Sequence, residues 1–148
     1  MITYKEGDIF RDNANAIVNP VNCMGVMGKG LALQFKEKYI ENFRAYANEC
    51  SNGNVDIGKM FVYEYKGMPH TRYVINFPTK KHWRNQSELS YIESGLKDLA
   101  KVISDKHIKT IAIPALGCGL GGLDWAKVRP MIEKELGGLD TDIRLYCP

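Results

Sequence analysis

Two glycine-rich segments constrain the fold of this chain more than any other feature of its sequence. The first loop, residues 22–30 (N-C-M-G-V-M-G-K-G), follows the apolar run 14–19, and the second loop, residues 115–122 (A-L-G-C-G-L-G-G), follows the apolar run 110–113. Apolar residues with helical spacing begin soon after each loop. Strand–loop–helix units of this kind predict a mainly parallel sheet with helices on both faces. Because parallel strands share their carboxyl edge, both loops should open onto one cleft there.

The rest of the chain continues the same alternation of strands and helices. Five apolar residues between Leu89 and Ile103 are spaced by three and four, which predicts a helix over residues 87–104. Apolar stripes that begin at Leu31, Phe43 and Trp125 predict three further helices, and Asp124 is placed to cap the last of them. Short runs rich in Val, Ile, Tyr and Phe predict the remaining strands at residues 2–5, 59–65, 72–77 and 142–147.

Length and composition favour a single packed domain over residues 1–148. Apolar residues make up 45% of the chain and charged residues 25%, and we find no internal repeat or linker-like segment. No apolar run approaches the roughly 18 residues of a membrane-spanning helix, and the N-terminus does not resemble a secretion signal. The cysteines are far apart and form no C-x-x-C pair, so we expect no zinc site, no disulfide framework and a cytoplasmic location.

The chemistry best suited to the two loops is the binding of a diphosphate. Glycine lets backbone N–H groups approach a phosphate closely, and the helix N-terminus behind the loop adds partial positive charge. Either loop taken alone is equally consistent with a tight turn, but two loops at one sheet edge can clamp a diphosphate from both sides. Neither loop matches G-x-x-x-x-G-K-[ST], and neither places G-x-G-x-x-G after the first strand, which disfavours nucleoside triphosphatases and dinucleotide-binding folds.

One short stretch combines basic and aromatic residues. Lys80, Lys81 and Arg84 flank His82 and Trp83, whereas the whole chain carries a net charge of only +3. That net charge is too small to establish a nucleic-acid partner. The local stretch, however, suits a nucleic acid, because Trp83 can stack on a base while Lys81 and Arg84 hold phosphates. Alternatively, Trp83 packs beneath the wall of the cleft.

Three long stretches resemble the macrodomain family, and in particular its DarG-type branch. They are residues 22–35 (N-C-M-G-V-M-G-K-G-L-A-L-Q-F), 75–84 (I-N-F-P-T-K-K-H-W-R) and 116–125 (L-G-C-G-L-G-G-L-D-W), and shorter matches lie at residues 7–9 and 17–22. The resemblance implies a three-layer α/β/α macrodomain with a central mixed, mainly parallel sheet and an ADP-ribose cleft. It also implies a hydrolase, without metal or other cofactor, that removes ADP-ribose from thymidine in single-stranded DNA.

The DarG-type branch further implies an antitoxin, a cognate ADP-ribosyltransferase toxin as its partner, and an intact protein that continues beyond Pro148. Two rival functions remain open. One is a module that binds ADP-ribose without turnover. The other is a hydrolase of protein-linked ADP-ribose esters or of ADP-ribose 1″-phosphate.

The resemblance also assigns roles to individual residues. Asp8 would accept a hydrogen bond from the adenine amino group beside the Ile9 backbone, Asn22 would position the distal ribose, and Lys80 would act in catalysis. The phosphate-binding loops would comprise Met27, Gly28, Lys29, Gly30, Gly117, Cys118, Gly119, Leu120 and Gly121. Without the resemblance, Asp8 fits a turn residue and Asn22 fits a loop-stabilising side chain.

Lys80 has two possible modes of action at the distal ribose. A neutral amine would attack the anomeric carbon and form a transient imine with the opened sugar. A cation would stabilise charge on the departing base. Related protein-directed macrodomains carry an acidic residue that assists the lysine, but this chain has Gly121 at that position and Asp124 as the first carboxylate after it. This difference favours the DNA-directed branch.

Overall fold

The central element of the protein is a six-stranded sheet in the order β1-β6-β5-β2-β4-β3. It is seen in a computed structural model that describes every residue from Met1 to Pro148. The strands β3 and β4 pair antiparallel, and every other neighbouring pair is parallel, so the predicted mixed, mainly parallel sheet is confirmed. The strands are β1 (Ile2–Lys5), β2 (Ala16–Val21), β3 (Phe61–Glu64), β4 (Tyr73–Pro78), β5 (Thr110–Ile113) and β6 (Asp142–Tyr146).

Four α-helices cover the two faces of this sheet and complete the predicted three layers. They are α1 (Gly30–Lys38), α2 (Ile40–Ser51), α3 (Leu89–Asp105) and α4 (Trp125–Leu136). The helices α3 and α4 enclose the larger apolar cluster, and α1 and α2 enclose the smaller one on the opposite face. None of the helices combines the length and the apolar character that crossing a bilayer requires.

Several elements differ from the sequence predictions. The strand β2 continues through Asn19 and Pro20 to Val21 instead of ending at residue 19, and β3 is limited to Phe61–Glu64 instead of residues 59–65. A 3-10 helix at Ile9–Arg11 was not predicted, and it forms because the Asp8 carboxylate accepts a hydrogen bond from the Phe10 N–H at 3.0 Å. Tyr39 does not extend α1 but separates it from α2. The helix α3 begins at Leu89 rather than at residue 87, because the backbone of Glu88 is extended, with φ −125° and ψ 147°.

A buried network of three asparagines joins the sheet to α2. The Asn76 amide donates to Asn42 Oδ1 at 2.8 Å, and the Asn19 amide donates to Asn76 Oδ1 at 3.2 Å. The Asn19 amide also contacts the sulfur of Met27 in the first loop at 3.7 Å. Buried polar groups need partners of this kind, and the network therefore fixes α2 and the first loop relative to β2 and β4.

Candidate functional site

A cleft of about 540 Å³ opens at the carboxyl edge of the sheet, where the sequence places the two loops. This volume lies within the range of small-molecule sites. The predicted site residues that line it are Ile9, Asn22, Gly28, Lys29, Gly30, Lys80, Trp83, Gly117, Gly119, Leu120 and Gly121. The sheet therefore brings together residues from both loops and from the stretch that follows β4.

Further lining residues were not predicted from the sequence. They are Gly7, Pro20, Val21, Val26, Leu31, Ala32, Thr79, Pro114, Ala115, Tyr146, Cys147 and Pro148. Most of them lie at or just after the carboxyl end of a strand. Their residue types carry no obvious chemistry, so they could have been found from the sequence only by their position at the ends of the predicted strands.

The first loop is held in place by Asn22 and by α2. The Asn22 side chain donates to the carbonyl oxygen of Val26 at 2.8 Å and accepts from the Met24 N–H at 2.9 Å, as expected of a loop-stabilising asparagine. The buried Tyr46 hydroxyl donates to the Asn22 carbonyl oxygen at 2.7 Å. Asn22 also lines the cleft, and one of its two amide hydrogens has no partner within the protein.

The N-terminus of α1 lies directly behind the first loop. Gly30 begins the helix with a φ of 57°, a conformation that favours glycine. The capping residue, Lys29, makes no side-chain hydrogen bond to the first turn, so the N–H groups of this turn have no side-chain acceptor. The helix α4 is different, because the Asp124 carboxylate accepts a hydrogen bond from the Ala126 N–H at 3.0 Å, which confirms the predicted cap.

The second loop folds tightly upon itself and has no space for a side chain at Gly121. A Cβ atom built there would lie 2.5 Å from the Gly117 carbonyl oxygen and 2.5 Å from Ser87 Oγ. Gly117 itself has a φ of 74°, and its carbonyl oxygen accepts a hydrogen bond from the Leu123 N–H at 2.9 Å. In this geometry an acidic residue does not fit at position 121.

The two loops meet across the cleft. The side chain of Leu120 in the second loop lies 3.5 Å from the position that a Cβ atom would take on Gly30 in the first loop. A larger residue at Gly30 would therefore close the space between the loops. Together with the α1 N-terminus, the two loops form a backbone-lined cradle suited to a diphosphate.

Lys80 enters the cleft from the end of β4. The Thr79 N–H donates to the Val21 carbonyl oxygen at 2.8 Å, which holds this strand end beside β2 and the first loop. Lys80 is half-buried, and no hydrogen bond or ion pair is formed by its amine. Burial lowers the pKa of Lys80 from its ordinary value. The cleft thus contains an amine without a carboxylate partner.

Ile9 and Tyr146 form another part of the wall of the cleft. The Tyr146 hydroxyl donates to Asp12 at 2.6 Å, and the Arg144 guanidinium donates to the other carboxylate oxygen of Asp12 at 2.5 Å. Burial raises the pKa of Tyr146 to about 12, and the bond to Asp12 adds to this effect. Asp8, by contrast, is exposed and does not line the cleft.

Four other predicted residues lie outside the lining of the cleft. Met27 is fully buried and contacts Asn19, and Cys118 donates weakly to the Leu116 carbonyl oxygen at 3.5 Å. Burial raises the pKa of Cys118 to about 11, so it is a thiol at neutral pH. Lys81 and Arg84 are exposed on the segment that follows Lys80.

No group of three or more His, Cys, Asp or Glu side chains is placed to hold a metal ion. All of the cysteines are free thiols.

Comparison with known proteins identifies the family. Residues 18–132 match the family model described as Macro domain. The whole chain is 50% identical to a DNA ADP-ribosyl glycohydrolase of Mycobacterium tuberculosis, of which it covers 42%. It is also 34% identical, over 97% of its length, to a DNA ADP-ribosyl transferase–DNA ADP-ribosyl glycohydrolase fusion protein of Thermosipho africanus, of which it covers 41%. The chain therefore spans about two fifths of the length of these relatives.

Solved structures agree with this assignment. The macrodomain of Mycobacterium tuberculosis DarG superimposes with a TM-score of 0.98 at 50% identity, and the match covers 100% of this chain and 98% of that one. Thermosipho africanus DarTG, solved in complex with ADP-ribose, superimposes with a TM-score of 0.94 at 35% identity, and the match covers 99% of this chain and 41% of that one.

Proposed function

Because this chain belongs to the macro domain family, we propose that it is a glycohydrolase that removes ADP-ribose from thymidine bases in DNA. The observation that carries this proposal is the unpaired amine of Lys80 in a cleft lined by two backbone loops. The family, the 50% identity to a protein named DNA ADP-ribosyl glycohydrolase and the likeness to a structure holding ADP-ribose support the same substrate.

In this proposal the cleft binds ADP-ribose in an extended form. The diphosphate lies between residues 28–30 and 117–121, where backbone N–H groups and the α1 N-terminus offset its negative charge. The adenine lies toward Ile9 and Tyr146, with Asp8 at the same end of the molecule. The distal ribose lies toward Asn22 and Lys80, and the free amide hydrogen of Asn22 is available to a ribose hydroxyl.

The reaction replaces the bond between the anomeric carbon and the base nitrogen with a bond to a water oxygen. We favour the route in which the neutral amine of Lys80 attacks the anomeric carbon, the base departs with a proton, and the sugar ring opens to an imine that water hydrolyses. Two observations support this route: burial lowers the pKa of Lys80, and no carboxylate stabilises the protonated amine. The diphosphate opposes deprotonation, which makes the ionisation of Lys80 in the complex the decisive quantity.

The intact protein is proposed to be longer than residues 1–148 and to act as an antitoxin to an ADP-ribosyltransferase. This proposal is supported by the share of its relatives that the chain spans and by the Thermosipho africanus protein, which is named as a fusion of the two activities. We also propose a cytoplasmic location, where the free thiols stay reduced and the DNA substrate is found.

The experiment that tests the proposal compares wild type with Lys80→Ala on a single-stranded oligonucleotide that carries ADP-ribose on thymidine. We expect wild type to release ADP-ribose and the variant to lose at least about 100-fold in kcat, as is typical when a reacting group is removed. Calorimetry with free ADP-ribose checks that both proteins bind. Binding without turnover by wild type would identify a reader module instead. Turnover of modified protein or of ADP-ribose 1″-phosphate, but not of DNA, would identify the other rival.

A further inference from the structure

Trp83 is an exposed aromatic side chain that nevertheless lines the cleft. It lies three residues beyond Lys80, in the segment between β4 and α3, and 41% of its surface remains accessible. The exposed apolar side chains of Val26 and Leu120 line the cleft as well. The diphosphate and the two riboses are polar, and in the proposed arrangement the adenine lies toward Ile9 and Tyr146, so this apolar rim is left for another part of the substrate.

The indole of Trp83 is held in place by its two neighbours in the chain. The guanidinium carbon of Arg84 lies 4.6 Å from the centroid of the indole ring, and the His82 ring lies 5.3 Å from it at an angle of 31°. The Arg84 N–H donates to His82 Nδ1 at 3.1 Å, and the Asn85 N–H closes the turn onto the His82 carbonyl oxygen at 3.0 Å. The ring is therefore exposed but oriented, which lowers the entropy lost when a flat ligand stacks on it.

The chain segment that contains Trp83 carries positive charge and no acidic residue. Residues 80–87 read K-K-H-W-R-N-Q-S, so the next acidic residue is Glu88. The residues Lys81 and Arg84, which flank Trp83 in the sequence, both have exposed side chains. The Lys81 carbonyl oxygen accepts a hydrogen bond from the Cys23 N–H at 3.1 Å, which ties this cationic segment to the first loop.

We propose that Trp83 is the stacking platform for the nucleobase that is joined to the distal ribose, and that Lys81 and Arg84 hold the phosphates on either side of that nucleotide. This inference rests on the proposed function. The base is joined to the sugar beside Lys80, so in the bound substrate it must extend out of the cleft over the rim. Trp83 lies at this rim and offers an apolar π-face on which the base can stack. Exposed cations at this position match the phosphates of a strand that passes over the rim.

Stacking and phosphate contacts do not read the edges of bases. We therefore expect turnover to depend weakly on the bases that flank the modified thymidine. The platform contributes to an isolated modified nucleoside as well as to an oligonucleotide, whereas the phosphate contacts of the two cations exist only with the oligonucleotide. This difference separates the two parts of the proposal.

The test measures kcat and KM of wild type, Trp83→Ala and Trp83→Phe with ADP-ribosylated thymidine nucleoside and with an ADP-ribosylated single-stranded oligonucleotide. Loss of one stacked base should raise KM of Trp83→Ala about 5- to 100-fold for both substrates. Trp83→Phe keeps a π-face and should recover most of this loss. Free ADP-ribose lacks the thymine that is joined to the distal ribose, so its Kd should change far less than KM does.

The cations are tested by the salt dependence of the KM for the oligonucleotide. The double variant Lys81→Gln/Arg84→Gln should reduce the slope of log KM against log salt by roughly 0.7 for each phosphate that the variant no longer binds. It should leave the slope for the nucleoside unchanged. Lys134→Gln is the matched control, because it removes an exposed lysine from α4, away from the cleft, and should alter neither slope.

Each outcome decides the proposal. Unchanged KM values for Trp83→Ala, in a variant whose thermal unfolding matches wild type, refute the platform while wild-type turnover leaves the proposed function standing. An equal loss of affinity for free ADP-ribose refutes it too, since Trp83 would then be a wall of the ADP-ribose site. If wild type itself releases no ADP-ribose from DNA, the proposed function fails first.

Discussion

The hydroxyl of Tyr46 lies 2.7 Å from the carbonyl oxygen of Asn22 and 2.9 Å from Asn22 Oδ1, so that one side chain of α2 anchors the start of the first loop. Tyr46 is fully buried, and burial raises the pKa of its hydroxyl far above the ordinary tyrosine range. The hydroxyl is therefore a permanent hydrogen-bond donor. Because Asn22 also lines the cleft, this contact links the core of the protein to the proposed distal ribose site.

The first prediction is that Tyr46→Phe weakens both stability and ligand binding. Removing a buried hydrogen bond of this type costs about 1–3 kcal/mol of the free energy of unfolding, because the Asn22 carbonyl loses its buried donor. ADP-ribose affinity should fall several-fold as the first loop loosens. Urea denaturation and calorimetry measure the two effects. The control is Tyr63→Phe, which removes the hydroxyl of a half-buried tyrosine of β3 that does not line the cleft; equal behaviour of the two variants would contradict the prediction.

The alternation of apolar runs and glycine-rich loops was sufficient to predict the layers, the mainly parallel sheet and the position of the cleft. These features follow from local pattern, because a strand followed by a loop and a helix has few ways to pack. Lys80, Asn22 and both loops could be placed at the cleft because each directly follows a predicted strand. The Asp124 cap could also be predicted from local sequence, because Asp124 directly precedes the apolar stripe that begins at Trp125.

Contacts between distant parts of the chain could not be predicted from such local patterns. The partners Asp12 and Arg144 are separated by 132 positions, and nothing near either residue specifies the other. The same holds for the asparagine network of β2, β4 and α2. Gly121 has no space for a side chain partly because Ser87 lies against it, and this contact exists only in the folded protein. In each case the determining neighbour is supplied by tertiary structure.

The second prediction concerns Gly121→Ala. The added methyl group would lie 2.5 Å from both the Gly117 carbonyl oxygen and Ser87 Oγ, so the second loop must shift to relieve the clash. We expect at least about a tenfold loss of ADP-ribose affinity, since misplaced backbone donors no longer reach the phosphates. Calorimetry measures this loss. Gly138→Ala is the control, because nothing lies within 4 Å of its added methyl group. Normal affinity in Gly121→Ala would show that the loop tolerates a side chain.

The third prediction distinguishes the neutral amine of Lys80 from the cation. Burial lowers the pKa of Lys80, so the neutral form accumulates at lower pH than for an ordinary lysine with a pKa of about 10.4. If the neutral amine reacts, kcat/KM rises with pH and levels off once the amine has lost its proton. Lys80→Arg should then be as inactive as Lys80→Ala, because a guanidinium stays protonated. A falling pH profile, with activity retained in Lys80→Arg, would instead establish the cationic role.

The fourth prediction is that Asp12 stabilises the wall of the cleft that contains Tyr146. The Asp12 side chain is only 1% exposed, and it contacts the Arg144 guanidinium and the Tyr146 hydroxyl. Burial by itself would raise the pKa of Asp12, but the bonds from Tyr146 and Arg144 outweigh this effect and the pKa is lowered. A carboxylate with a lowered pKa stabilises the folded state above its unfolded pKa, about 3.9, and this stabilisation is lost as pH falls through the folded pKa.

Asp12→Asn keeps the shape of the side chain and removes its charge. We expect it to cost about 1.5–3 kcal/mol of unfolding free energy at pH 7, the range for hydrogen bonds that involve a charged group. The difference from wild type should shrink as pH falls below the unfolded pKa of about 3.9. ADP-ribose should also bind more weakly, because the charged acceptor that orients the Tyr146 ring becomes a neutral amide. Urea denaturation at pH 7 and at a pH below the unfolded pKa of about 3.9 measures the stability, and calorimetry at pH 7 measures the affinity for ADP-ribose.

The control is Glu133→Gln, which disrupts the exposed pair with Arg129 and should cost much less stability. If the two variants lose the same stability at pH 7, Asp12 acts as an ordinary surface charge, and the orientation of Tyr146 must come from its packing alone.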